Sequence, residues 1–149
     1  MRIEDEIKQA KFKSEFEKLA INLAFTHVHF ENQFAQVVKT MNTTPEQYNV
    51  LRILKGQHPK PISVKDIQSR MISKMSNTSR LIDKLEEKGF VKRVECKNDR
   101  RAVDINLTPE GIEHLAVVTK AIEPMQKGYK TLSETEAKQV NDLLDKLRG

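Results

Sequence analysis

Between Ser73 and Lys84 the chain concentrates Lys74, Ser76, Asn77, Ser79, Arg80 and Lys84. These residue types can do recognition chemistry. An arginine can pair bidentately with guanine and an asparagine with adenine, while serine and lysine hold phosphate oxygens. A second cluster follows closely, with Lys97, Arg100 and Arg101 beside Asp99. A basic tip of this kind fits a narrow A·T minor groove, which attracts arginine. Asp99 suits orienting an arginine better than facing phosphate. Taken alone, a solvated helix face and a charged turn are the commoner explanations of such residues. The pattern around them favours double-stranded DNA as the partner.

Other chemistries find little support. His27 and His29 are two apart, so on a helix they point to different sides and cannot chelate one metal. His58 and His114 lack Cys or His companions at ligand spacing. Cys96 is the only cysteine, which excludes an intrachain disulfide and suits a reducing compartment. Only Lys97 and Arg93 stand near it to activate the thiol. No triad order, Gly-rich phosphate loop or paired-acid motif points to an enzyme. The sequence calls for no cofactor and no metal.

The elements that would position these clusters can be read in order. From Ile3 to about Val38, apolar residues recur at helical spacing without Pro or Gly, which predicts one long helix or two in succession. Its early part has too little domain beneath it and is expected to pack on another chain. Thr44-Pro45-Glu46-Gln47 opens a helix as a capping box, and Gly56 is expected to stop it. Pro61 and Ile62 can add a short strand. Ser63 caps a helix of about two turns with Val64, Ile67 and Met71 inward. Ser73 is expected to interrupt and cap again, after a turn of about three residues, opening a helix from Lys74 to Lys88. Thr78, Leu81, Ile82 and Leu85 face inward there, and Gly89 ends it as a left-handed cap.

Phe90 to Cys96 and Ala102 to Leu107 read as a strand pair joined by the basic tip. Thr108-Pro109-Glu110 starts another helix, which Pro124 should kink or interrupt. Ser133-Glu134-Thr135-Glu136 is a further capping box, followed by the narrow stripe Val140, Leu143, Leu144 and Leu147. The fold class is mainly α with a small β-hairpin wing. Residues 40–108 form a winged helix-turn-helix DNA-binding region, and residues 1–39 with 109–149 a helical dimerisation region. Ile3, Ile7, Val140, Leu143 and Leu147 are expected to be covered mutually by two copies.

Charge follows this division. The chain of 149 residues carries a net charge of +5. From Lys60 to Arg101 there are 12 Lys and Arg against 6 Asp and Glu; the remainder holds 14 against 15. The surplus sits in the winged region, as an anionic partner would require. The N-terminus lacks the apolar run of a signal peptide, and no stretch approaches the ~20 apolar residues that span a bilayer. A cytoplasmic protein with no membrane partner is expected.

The stretch SNTSRLIDKLEEKGFVKRVECKNDRRAVDINLTPEG resembles the MarR family of bacterial winged-helix regulators. The similarity lies in the helix ending L-E-x-x-G, the arginine early in the first wing strand, the D-x-R tip and the closing L-T-x-x-G. It covers residues 44–111. The resemblance implies a homodimer, paired through its terminal helices, that binds a pseudo-palindromic operator. It places Ser76, Asn77, Ser79 and Arg80 at bases and phosphates, with Ser73, Lys74 and Lys84 beside them. Arg101, with Arg100, falls at the minor groove, and Asp99 positions the wing through Arg93. It further implies a repressor released by a small aromatic or anionic effector, whose binding residues vary too much to be assigned. Gln68 stands where the family often has a small residue, which predicts looser packing between the two short helices. A non-specific architectural DNA binder and a winged-helix protein-interaction module are the alternatives.

Overall fold

The structure is a computed structural model that describes residues 1–95 and 103–149, apart from the side chain of Gln126. In chain order its elements are α1 (Ile3–Glu6), α2 (Glu15–Thr40), α3 (Pro45–Gln57), β1 (Ile62–Ser63), α4 (Val64–Arg70), α5 (Thr78–Glu87), β2 (Val91–Glu95), β3 (Val103–Leu107), α6 (Pro109–Gln126), a 3-10 helix (Lys127–Thr131) and α7 (Glu134–Arg148). It is mainly helical with one small sheet, as the sequence predicts.

The N-terminal stripe does not form one continuous helix. It breaks between α1 and α2, where Lys8 takes a positive φ of 54°. Ser14 then caps α2 by accepting a hydrogen bond from the Glu17 N–H. Glu17 reciprocates by accepting from the Lys13 N–H, so the new start is capped from both sides. The Lys18 ammonium lies 2.7 Å from the Glu4 carboxylate and holds its pKa down to about 2, which ties α1 to α2. Ile3 is buried within the chain and Ile7 half-buried, contrary to the expectation that both stand open.

The capping box at Thr44 opens α3, and Gln47 is buried behind it. Gly56 does not stop this helix, which continues to Gln57. The core joins Val38 of α2 to Val50, Leu51 and Leu54 of α3, Ile67 of α4, Ile82 and Leu85 of α5, and Leu115, Val118 and Ile122 of α6. The sheet has the order β1-β3-β2, all antiparallel, with Ile62 opposite Ile105 and Val91 opposite Leu107. Ile105 and Leu107 seal the core from the sheet side. Val103, which alternates with them in sequence, is 43% exposed.

α6 runs through Pro124 to Gln126 before tightening into the 3-10 helix, so the proline does not interrupt it. α7 is capped by the predicted Ser133 box, yet Val140, Leu143 and Leu147 are exposed. Among the described residues, no helix is long and apolar enough to cross a membrane.

Candidate nucleic-acid interface

The two short helices are separated by Met71–Asn77, a longer turn than predicted. Helix α5 begins at Thr78, with Asn77 as its cap, accepting from the Arg80 N–H at 3.1 Å. Ser73 is therefore not the cap, and Lys74 and Ser76 lie in the turn instead of the helix. The reason is packing. Met71 and Thr78 are both buried and fix the ends of the turn. The residues between them arch outward, leaving Ile72 and Met75 87% and 95% exposed.

Three side chains brace this arch. Asn49 on α3 accepts from the Ile72 N–H at 3.0 Å. Gln68 on α4 donates to the Lys74 carbonyl at 2.8 Å and accepts from the Thr78 hydroxyl. The Lys74 ammonium turns back to the Ser69 carbonyl. Gln68 thus ties the middle of the turn to the start of α5, so the expected looseness at this position is met by two hydrogen bonds. A small residue at this position could not make either bond.

Ser79, Arg80 and Lys84 are exposed on α5. Ser76, Asn77, Arg80 and Lys84 converge on one shallow groove of about 290 Å³, which Leu81 and Glu46 also line. Lys84 pairs with Glu87 at 2.7 Å on the exposed surface, where such a pair is weak and easily exchanged for phosphate. Asn77 uses its side-chain carbonyl for capping, so its amide group is the part left for recognition.

Arg93 on β2 lies elsewhere. Its guanidinium bonds to Asp83 and Glu86 of α5, and these carboxylates raise its pKa, the Asp83 hydrogen bond most of all. It ties the wing to the helix and pairs with two acids of α5. Asp99, Arg100, Arg101 and Lys97, with Cys96, lie outside the described residues.

The wing and α5 are locked at their shared end. The Gly89 N–H donates to the Glu86 carbonyl and the Phe90 N–H to the Leu85 carbonyl, with Gly89 at φ +73°. This is the paired bonding that ends a helix on a left-handed glycine. Thr108 then donates its hydroxyl to the Gly89 carbonyl at 2.6 Å and caps α6 at the Gly111 N–H. A Cβ on Gly111 would overlap the Phe90 carbonyl. The two glycine motifs in the sequence are therefore halves of one contact.

Beneath that contact, His114 stacks on Phe90 with centroids 4.0 Å apart and meets the Thr43 hydroxyl at 2.7 Å. Burial, and then the nearby Lys88, lowers its pKa. Lys88 reaches the Gln47 side chain at 2.9 Å and the Asn42 carbonyl, joining the end of α5 to the start of α3. The other helical histidines have local partners, His27 with Glu31 and His29 with Gln33.

A larger cavity of about 540 Å³ opens behind the reading turn, between α2, α3 and the end of α6. Asn49, Met71, Ile72 and Ser73 form the wall it shares with that turn. Sequence reasoning missed it, because its lining comes from segments far apart in the chain.

The model of the MarR family matches residues 43–103. The transcriptional repressor MdtR of Bacillus subtilis (strain 168) is 32% identical over 118 residues, covering 77% of this chain and 74% of that protein. The transcriptional repressor MprA of Escherichia coli (strain K12) is 27% identical over 113 residues, 75% of this chain. That match spans 64% of MprA's length. Among solved structures, a Staphylococcus aureus MepR–DNA complex superposes with a TM-score of 0.77 at 23% identity, covering 92% of this chain and 97% of MepR.

Proposed function

The chain belongs to the MarR family, and we propose that it is a homodimeric, sequence-specific DNA-binding transcription regulator, a repressor released by a small effector. The observation that carries this reading is the convergence of Ser76, Asn77, Arg80 and Lys84 on one exposed groove, in the segment that holds the surplus positive charge. Residues 40–108 form the DNA-binding region, and residues 1–39 with 109–149 the dimerisation region. The protein works in the cytoplasm and is not an enzyme.

In this reading the braced turn and the first turn of α5 enter the major groove. Ser76, Asn77, Ser79 and Arg80 meet bases and phosphates, and Ser73, Lys74 and Lys84 flank them on the backbone. The wing carries Arg100 and Arg101 to the flanking minor groove, a placement that rests on the D-x-R motif alone. Arg93 and Asp99 position the wing. Two-fold symmetry then requires half-sites about one helical turn apart.

The cavity behind the turn is the effector site. A ligand there would press on the wall that holds Ile72 and Ser73 and loosen the Asn49 bond that braces the reading turn. MdtR and MprA are named as repressors, which favours release over recruitment as the effect on DNA.

The test is a gel-shift titration against the upstream region of the protein's own operon, with random duplex as competitor. A shift that survives competitor and weakens on Arg80→Ala or Arg101→Ala supports the reading. Equal affinity for random DNA would move the protein to the architectural class.

A further inference from the structure

We propose that the cavity between α2, α3 and α6 selects a hydrophobic organic cation. This deepens the reading of that cavity as the effector site and does not depend on DNA binding. Its walls are aromatic. Phe30 stacks on Tyr129 with centroids 4.4 Å apart, and Phe34 meets Tyr48 edge to face at 5.4 Å. Its volume of about 540 Å³ is that of a site for a compact organic molecule. Aromatic walls alone do not set the sign of a ligand's charge.

The charged groups of the lining do. They are His27, Glu31, Glu46 and Arg52. His27 and Glu31 pair at 3.1 Å and stand 72% and 49% exposed, so they form a self-satisfied rim. Arg52 is also exposed, and its guanidinium lies 6.0 Å over the Tyr48 ring with a bond to the Tyr48 hydroxyl. Glu46 differs from all three. It is half-buried between this cavity and the groove of Arg80 and Lys84, and among the described residues its carboxylate forms no ion pair. The least exposed charge of the cavity is thus a carboxylate held in no ion pair, although Arg80 and Lys84 share the neighbouring groove that it also lines.

An anion placed among these rings would lie beside that carboxylate with little water to screen the repulsion. A cation there gains the carboxylate's attraction and the negative faces of the rings together. Of the aromatic and anionic effectors that the family resemblance allows, the lining therefore favours an aromatic or lipophilic molecule bearing positive charge.

The experiment compares two ions of nearly one size and opposite charge, tetraphenylphosphonium and tetraphenylborate. Binding of each to the full chain is followed by calorimetry without DNA. The phosphonium should bind at least about tenfold tighter, and Glu46→Gln should remove most of that preference. Circular dichroism checks that the variant is folded, and Glu31→Gln should change the preference less. Equal binding of the two ions, tighter borate binding, no binding of either, or a preference untouched by Glu46→Gln would each overturn the proposal. A gel shift in the presence of the phosphonium separates the two readings. Selective binding that leaves DNA affinity unchanged supports the cation site and removes its role as effector site.

Discussion

In the winged unit Ile67, Met71, Ile82, Leu85 and Ile105 are each 1% exposed or less, whereas on α7 Val140, Leu143 and Leu147 stand 42%, 65% and 57% exposed. Both stripes have helical or strand periodicity and similar residue types. They differ in what surrounds them. The winged unit folds three helices and a sheet onto one another, so each apolar face finds a partner in its own chain. α7 and the first turns of α2, where Phe16 is 83% exposed, extend beyond that core. The winged unit can thus bury its apolar faces within one chain while the terminal helices leave part of theirs open. In the proposed function a second copy covers these stripes.

The most severe disruption is expected inside the winged unit. Gly111→Ala forces a Cβ into the Phe90 carbonyl, and should cost about 3 kcal/mol or more, since neither backbone can yield. Urea denaturation would measure it, and a stable Gly111→Ala protein would show that the wing and α6 are less tightly joined than their bonds imply. At the terminal helices the outcome should differ in kind. Leu143→Glu with Leu147→Glu should leave helicity intact but shift the protein from dimer to monomer in analytical ultracentrifugation. Loss of fold instead of loss of assembly would mean that α7 supports its own chain.

A smaller effect is expected at the reading turn. Gln68→Leu keeps the side chain's bulk but removes both bonds that span Met71–Asn77. DNA affinity should fall about tenfold from a looser turn, with a moderate fall in melting temperature because the buried Thr78 hydroxyl loses its acceptor. At the junction beneath the wing, pH is the probe. His114 has a lowered pKa when folded, so the unfolded chain binds more protons as the pH falls below the ordinary histidine value of about 6.5. Stability from this group is therefore present above that pH and lost as pH drops toward the lowered folded value. His114→Phe, which keeps the stack on Phe90, should flatten the melting temperature over that window. The smallest effect is at Gly56, in the last turn of α3 with open space around it, where alanine should stabilise by about 0.5 kcal/mol.

What the sequence made legible was local. The Thr44 and Ser133 boxes, Gly89 with its helix end and the Thr108 start all depend on residues within a few positions, and all appear as read. The errors came where tertiary packing chose between local signals. Ser73 and Asn77 both suit a cap, and burial of Met71 and Thr78 decided for Asn77. At the N-terminus the apolar period left one helix or two in succession open, and the Ser14-x-x-Glu17 start marks the second of the two that form. Of the candidate site, the exposure of Ser79, Arg80 and Lys84 on α5 was legible from type and order. The bracing by Asn49 and Gln68 was not, because each bond joins residues whose proximity only the fold creates. The cavity was hidden for the same reason.

An α5 face held by its own unit and presented to DNA by a dimer is the core of the proposed function. Fluorescence anisotropy with a labelled operator duplex, repeated across a salt series for the native chain and Arg80→Ala, is the direct test. Two chains should bind per duplex, with affinity falling steeply with salt. Arg80→Ala should weaken operator binding and lower the salt slope by about one for each phosphate the variant no longer neutralises. A native chain that binds operator no more tightly than random duplex, or an Arg80→Ala chain that binds as the native one does, would contradict it.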